Sequence, residues 1–438
     1  MEETRAQAYL QLIETLLTCP NGDEPQILQA NLELVDSGFL QACESVAENL
    51  AEEGQENQVH FLRNLASQVG QFLGMNDEGD SDNSEGENPQ EYLEFIGDLL
   101  VAEADSNSDI KVIYPMLAGR QHLLNARFAE FLQQVTQNFI AEHPEAIESI
   151  LDLMGNLSNH ISRFPLGKRA NNLEIAITGY QILLNNWEPG SENWARMQNN
   201  LATAYGERIS GEKAENIEVA IASYTAALSV YTREAFPEYW ATTQNNLGTA
   251  YRKRIRGEKA ENIEVAIASF TAALTVLTRD AFPQDWAMTQ NNLAAAYSQR
   301  IRGEKAENIE RAINFYEAAL TVRTLESFPL EWARTQDNLA TAYQYRTIGV
   351  REENLEKAIS YWEAASQVIT QESFPQDWAR LKNNLANAYL YRRKGEKCNN
   401  LKQAISAYKY ALSFYDREQY PEKYASIQKN LGVAYLQY

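Results

Sequence analysis

Two adjacent carboxamides, Asn245 and Asn246, return 46 residues later as Asn291 and Asn292. The register continues through Asp337–Asn338 and Asn383–Asn384, and Asn199–Asn200 anticipates it. Asparagine is a mediocre helix former, so a pair in mid-helix needs a reason beyond propensity. A carboxamide carries both donors and an acceptor, the complement of an extended peptide main chain. Guanidinium groups stand nearby. Arg196, Arg334 and Arg380 each lie five residues before the leucine that follows a pair, and Arg252 and Lys253 sit on later turns. Cations so placed suit acidic or carboxylate ligands held by charge-assisted hydrogen bonds. These residues form the candidate peptide-binding set. The same carboxamides could instead bridge one repeat to the next, and the same arginines could simply be solvated.

Catalytic chemistry is poorly served. His60, His122, His143 and His160 are scattered without metal-ligand spacing. The acidic stretch from Asp80 imitates a calcium loop, but its glycine, Gly86, falls one place late. Gly206 with Gly211-Glu212-Lys213 imitates a phosphate loop, yet the lysine is misplaced, no hydroxyl follows, and no strand precedes. Cys398 replaces an alanine of a recurring loop. The expectation is a non-catalytic protein without metal or cofactor.

The element that positions these residues is a repeat. The stretch Glu215–Ala260 returns at Glu261, Glu307, Glu353 and Asn399, each 46 residues on, and a 44-residue first copy opens at Asn171. Self-similarity at such a period marks a solenoid, whose units bury their apolar faces only against neighbours. Two helices are legible in each copy. In the first, Trp240, Gln244, Leu247 and Tyr251 form one stripe, with Pro237 at the first helical position and Phe236 before it. It stops near Gly257. Asn262 is expected to cap the second helix, with Glu264 favourable in its first turn. That helix carries Ile263, Ile267, Phe270, Leu274 and Leu277 on one face, while Ala266 and Ala273 permit close approach. The tryptophans Trp194, Trp240, Trp286, Trp332 and Trp378 share the leucine face and read as inter-repeat core.

Leu247–Gly248 and Tyr251, then Ala266, Phe270 and Ala273, resemble the tetratricopeptide-repeat (TPR) pattern. The skeleton returns as Leu293, Tyr297, Ala312, Tyr316 and Ala319, and as Leu339, Tyr343, Ala358, Trp362 and Ala365. The period exceeds the family's usual length of about 34, and a glutamine stands three residues before the leucine where the family usually has an aromatic. In these respects the array is similar to the long-repeat, kinesin-light-chain-like branch. The block Gln-Asn-Asn-Leu-Ala/Gly-x-Ala-Tyr is similar to cyanobacterial TPR proteins that precede a CHAT-type, caspase-like protease domain. The resemblance implies an all-α fold, a right-handed TPR-type α-solenoid of helical hairpins with a divergent helical N-terminal cap. It also implies a concave groove where side chains at the asparagine positions grip peptide main chains. No region resembles the CHAT domain, so the role implied is that of a regulatory or sensor subunit for a separate protease.

Composition bounds the partners. The chain has 438 residues and a net charge of −22. Residues 1–140 hold 25 acidic and 5 basic side chains, so the array is nearly neutral. An acidic front end disfavours nucleic acid and anionic membranes. No apolar run reaches membrane-spanning length, and Met1-Glu2-Glu3-Thr4-Arg5 does not open a signal peptide. Cys19, Cys43 and Cys398 are far apart, which points to a reducing cytoplasm.

Residues 1–75 read as a helical cap module, with Tyr9, Leu10, Ile13, Leu16 and Leu17 on one face. Residues 76–90 read as an acidic disordered linker, because Asn76–Asn88 contains no apolar side chain. Residues 91–142 form a second cap module, whose Tyr92, Ile96 and Leu99 answer the first, and the array occupies 143–438. Tyr424, Leu431 and Tyr435 on the last helix are left uncovered by this pattern, which predicts a homodimer through that face. The functional expectation is a cytoplasmic scaffold that holds an extended peptide or partner segment in its groove. A helical-repeat RNA binder is the alternative.

Overall fold

The structure, a computed structural model, describes residues 2–19, 37–52 and 88–438, with isolated positions between 27 and 66. Every regular element among the described residues is helical. The chain divides into two compact units, Met1–Ser223 and Tyr224–Tyr438.

In the first unit α1 (Glu2–Thr18) and α2 (Ser37–Glu52) pack through Tyr9, Ile13, Leu16, Phe39 and Cys43. Burial pushes the Cys43 thiol up to about 12, with Glu44 adding to the shift. Leu10, expected on the buried face, is 51% exposed; Leu12 takes its place in the core. The expected linker lies outside the described residues up to position 87. From there α3 (Pro89–Asp105) begins inside the range assigned to it, because Asn88 caps the helix by accepting the Gln90 N–H at 3.0 Å. Then come α4 (Ile110–Gly119), α5 (Ala126–Glu142), α6 (Ile147–Arg163), α7 (Arg169–Asn186) and α8 (Glu192–Glu207), around a core that includes Tyr92, Phe95, Phe128 and Leu157. The helix α9 (Lys213–Leu228) spans the division.

The second unit is an α-solenoid of helical hairpins: α10 (Pro237–Lys253) with α11 (Lys259–Ala273), α12 (Pro283–Gln299) with α13 (Lys305–Leu320), α14 (Pro329–Tyr345) with α15 (Arg351–Ala365), and α16 (Pro375–Tyr391) with α17 (Lys397–Leu412). α18 (Pro421–Gln437) closes the series. Each first helix has proline at its start, where a missing N–H loses no intrahelical bond. Its 17 residues explain part of the long period. The turn to the second helix passes through Gly257, Gly303, Gly349 or Gly395, all with φ between 76° and 82°, the left-handed region that a Cβ disfavours.

Asn262 does not cap α11. The helix begins at Lys259, one turn earlier, with Glu258 at the cap. The buried Asn262 carboxamide instead turns back and donates to the Arg256 carbonyl at 2.9 Å. Asn308, Asn354 and Asn400 do the same to Arg302, Ile348 and Lys394, all at 2.9 Å. The side chain thereby ties the turn to the helix that follows it.

The core differs in detail from the tryptophan reading. Ala241, Ala287, Ala333 and Ala379, each one residue after a tryptophan, are fully buried. Trp378 is buried as well, but Trp240, Trp286 and Trp332 are half-buried at the edge. Arg233 and Arg279 lie over the Trp240 and Trp286 rings, each 5.9 Å from the centroid. At the last helix the expected uncovered stripe is not intact. Leu431 is buried with Ile427 and Ala434, and Tyr424 is half-buried, so only Tyr435 of the three stands exposed. Leu431 occupies the register of Leu247, Leu293, Leu339 and Leu385, and on this last helix it is buried without a following one.

Candidate functional site

The asparagine pairs form a ladder along the first helices of the second unit. Asn292 donates to the Asn245 Oδ1 at 3.1 Å, and Asn338 to the Asn291 Oδ1 at 3.4 Å. Asn245 in turn donates to Asn246 at 3.3 Å. The second member of a pair thus reaches the first member of the preceding pair, which stitches successive helices together. Asn383 keeps a buried Oδ1 with no hydrogen-bond partner among the described residues. In the first unit Asn200 donates to Asn159 at 2.9 Å.

Most of the candidate arginines have carboxylate partners. Arg196 meets Asp152 at 3.2 Å. Arg334 meets Asp377 at 3.3 Å, and Arg380 meets Asp377 at 3.0 Å and also Asp337. Asp337 replaces an asparagine of the ladder and is fully buried, and it accepts the Trp362 Nε1–H at 2.9 Å. Burial raises its pKa above the usual carboxylate range, although Arg380 and the indole pull the other way. Burial acts on Asp377 too, but Arg380 and then Arg334 hold it below its ordinary value.

Arg252 is different. Among the described residues it pairs with no carboxylate, and its Nε is buried without a hydrogen-bond partner. Burial lowers its pKa, with the Tyr316 phenol opposing. The guanidinium nevertheless stays charged, as arginine does in proteins. It opens on a cavity of about 490 Å³ lined by α10, α12, α13 and α14. This cavity brings together Arg252, Asn291, Asn292 and Asn338 of the predicted set and adds Lys305 and Tyr316. Burial pushes the Tyr316 phenol up to about 12, with Ser298 and Arg252 opposing, so it remains a neutral hydroxyl. The other predicted residues do not line the cavity.

A second recurring device was not anticipated. The arginine three residues before Gly303, Gly349 and Gly395 grips a glutamate of the preceding second helix through two bonds. Arg300 holds Glu264 at 2.8 and 2.8 Å, Arg346 holds Glu310 at 2.7 and 2.8 Å, and Arg392 holds Glu356 at 2.8 and 2.7 Å. Arg300 and Arg346 also reach Asn308 and Asn354 of the following helix, at 3.4 and 3.3 Å. Each guanidinium lies over its own helix's tyrosine, 5.5 to 5.7 Å from the centroid. Arg208 and Glu174 repeat the grip in the first unit. The signal was present as Arg-x-x-Gly and Ile/Leu-Glu at the 46-residue period. Glu264, expected to serve its own helix terminus, pairs instead with Arg300. Hydrogen bonds from Arg300 hold its carboxyl below the usual range, against the effect of burial.

These features define a helical-repeat protein whose first helices carry an asparagine ladder and whose hairpins are tied by arginine–glutamate pairs. Residues 286–321, spanning α12 and α13, match the tetratricopeptide-repeat family. No curated protein matches the chain in sequence. Among solved structures it is similar to BtubC (BKLC) from P. vanneervenii, with 18% identity and a TM-score of 0.40 over 55% of this chain and 87% of that one. It is similar also to a tetratricopeptide repeat protein from Parabacteroides merdae, with 16% identity and a TM-score of 0.42 over 79% and 99%. A third is a signal transduction ATPase with numerous domains and a tetratricopeptide repeat sensor from Pyrococcus horikoshii, with 14% identity and a TM-score of 0.46 over 99% and 72%. No helix among the described residues is long and apolar enough to cross a membrane.

Proposed function

We propose that this protein is a non-catalytic interaction scaffold that holds an extended segment of a protein partner along the first helices of its repeats. The observation that carries the reading is the cavity in which Asn291, Asn292, Asn338 and Arg252 converge from three successive hairpins. Such a surface offers carboxamide donors and acceptors for main-chain groups, and a cation for an acidic one. Part of the carboxamide capacity is spent between helices, but each amide retains a further hydrogen or lone pair. The kinesin-light-chain-like and CHAT-associated likenesses fit a scaffold or regulatory subunit of this kind.

The test uses degenerate, fluorescein-labelled nonapeptide pools and measures anisotropy against the full chain and an Asn338→Ala variant. Binding by the wild type that weakens in the variant at a temperature where both are fully folded supports the groove. No peptide binding, alongside salt-sensitive binding of single-stranded RNA, would replace this reading with nucleic-acid recognition.

A further inference from the structure

We infer that the Arg252 cavity is an oxyanion receptor that takes one acidic side chain of the peptide segment, a carboxylate or a phosphoryl ester, and so fixes its register along the repeats. The inference rests on the groove-binding reading, and it deepens that reading.

The first argument is charge. Arg252 carries a buried Nε with no partner, and no carboxylate lines the cavity. Lys305 adds a second cation at the exposed rim, and Tyr316 and Asn338 add neutral donors. An unpaired, partly desolvated cation weakens the folded state, and an incoming anion returns that free energy on binding. The other arginines of this face behave otherwise. Arg334 and Arg380 are already paired with Asp377 and Asp337, so a ligand's acid would have to displace an internal one.

The second argument is symmetry. Steps of 46 residues from Arg252 fall on Ser298, Gln344 and Leu390, none of them charged. The asparagine ladder offers a peptide nearly the same amides at every repeat, so the ladder alone cannot tell one alignment from the next. A single cation breaks that equivalence, as one polar residue in a coiled-coil seam selects one register. The cavity is bordered by hairpins on either side, so a chain can continue past it and present the anion as a side chain within the segment.

The experiment uses C-terminally amidated, fluorescein-labelled peptide pools whose central residue is Glu, phosphoserine, Gln or Ser, with the flanking positions degenerate and uncharged. Anisotropy is measured on the full chain. A charge-assisted contact predicts that the wild type binds the Glu pool, the phosphoserine pool or both about tenfold more tightly than the neutral pools. A preference for Glu alone assigns a carboxylate, and a preference for phosphoserine alone assigns a phosphoryl ester. Arg252→Gln should bring the acidic pools down to the neutral level, and Arg252→Lys should restore part of the difference. Arg252→Gln should also melt no earlier than the wild type, since it removes an unpaired charge. Equal binding of all four pools, or an acidic preference that survives Arg252→Gln, would overturn the inference. In that case the neutral pools still bind and the groove reading stands, whereas binding of no pool at all removes both.

Discussion

Replacing Arg380 with methionine isolates a charge that the fold has buried. In the wild type Asp337 is fully enclosed and holds two partners, Arg380 and the Trp362 indole. Methionine keeps much of the packing volume but leaves the carboxylate with one neutral donor. Breaking a buried pair by removing one partner costs about 3–5 kcal/mol. The Arg380 side chain keeps 42% of its surface exposed, so solvent screening brings the expectation to roughly 2–3 kcal/mol. Urea unfolding followed by far-ultraviolet circular dichroism reads the change as a shift in midpoint. The second arm is Asp337→Asn on the same background. Asparagine is the ladder residue at this register, and its Oδ1 still accepts the indole N–H, so the double variant should recover most of the loss. pH supplies a third check. A carboxyl whose folded pKa lies above its unfolded value binds more protons in the native state, so stability falls as pH rises through that window. Without Arg380 the window widens, and the deficit of the single variant should shrink as pH is lowered towards about 4, the ordinary aspartate range. A cost below about 0.5 kcal/mol, within the reach of ordinary surface changes, or no rescue by Asp337→Asn, would refute the reasoning.

Arg323 occupies the position filled by Leu277, Ile369 and Tyr415 in other repeats, and burial lowers its pKa while its guanidinium donates to the Thr335 hydroxyl at 3.1 Å. Arg323→Leu should therefore stabilise the second unit by about 1 kcal/mol, the scale of a repeat-consensus replacement, measured by thermal melting. Asn308→Ala removes the 2.9 Å bond to the Arg302 carbonyl and should cost about 0.5–1.5 kcal/mol in the same assay. Glu264 and Glu356 are held below the usual glutamate range by Arg300 and Arg392. A depressed folded pKa adds stability above the unfolded value of about 4.3, which is lost as pH falls through the folded one. Glu264→Gln and Glu356→Gln should thus lower the melting point at pH 7 and converge with the wild type in acid.

How much of this was legible in the sequence depended on what kind of fact was sought. The hairpins, their proline starts and their glycine turns follow from local rules, and a period of 46 residues repeats each rule often enough to expose it. Asn262 misled because a cap residue and a turn-locking residue have the same composition, and only the helix boundary at Lys259 separates them. The Arg300–Glu264 grip was hidden for a different reason. Its partners are 36 residues apart, and nothing in one helix's periodicity says which neighbour a side chain faces. Leu10 and Leu431 show the converse error, since an apolar residue's presence on a stripe does not fix which side of the stripe is covered. Arg252 was recognised as a groove cation, but its solitude depended on knowing that Arg334 and Arg380 already had carboxylates.

The Arg–Glu grips have a mechanical consequence. Each joins the end of one first helix to the preceding second helix, with Asn308 or Asn354 tying in the next, so they act as rivets along a single edge of the stack. An edge fastened by ion pairs softens with ionic strength, whereas the alanine-lined interior does not. Rising ionic strength is therefore expected to loosen the second unit first along the riveted edge, and only modestly, because the pairs are largely shielded from solvent.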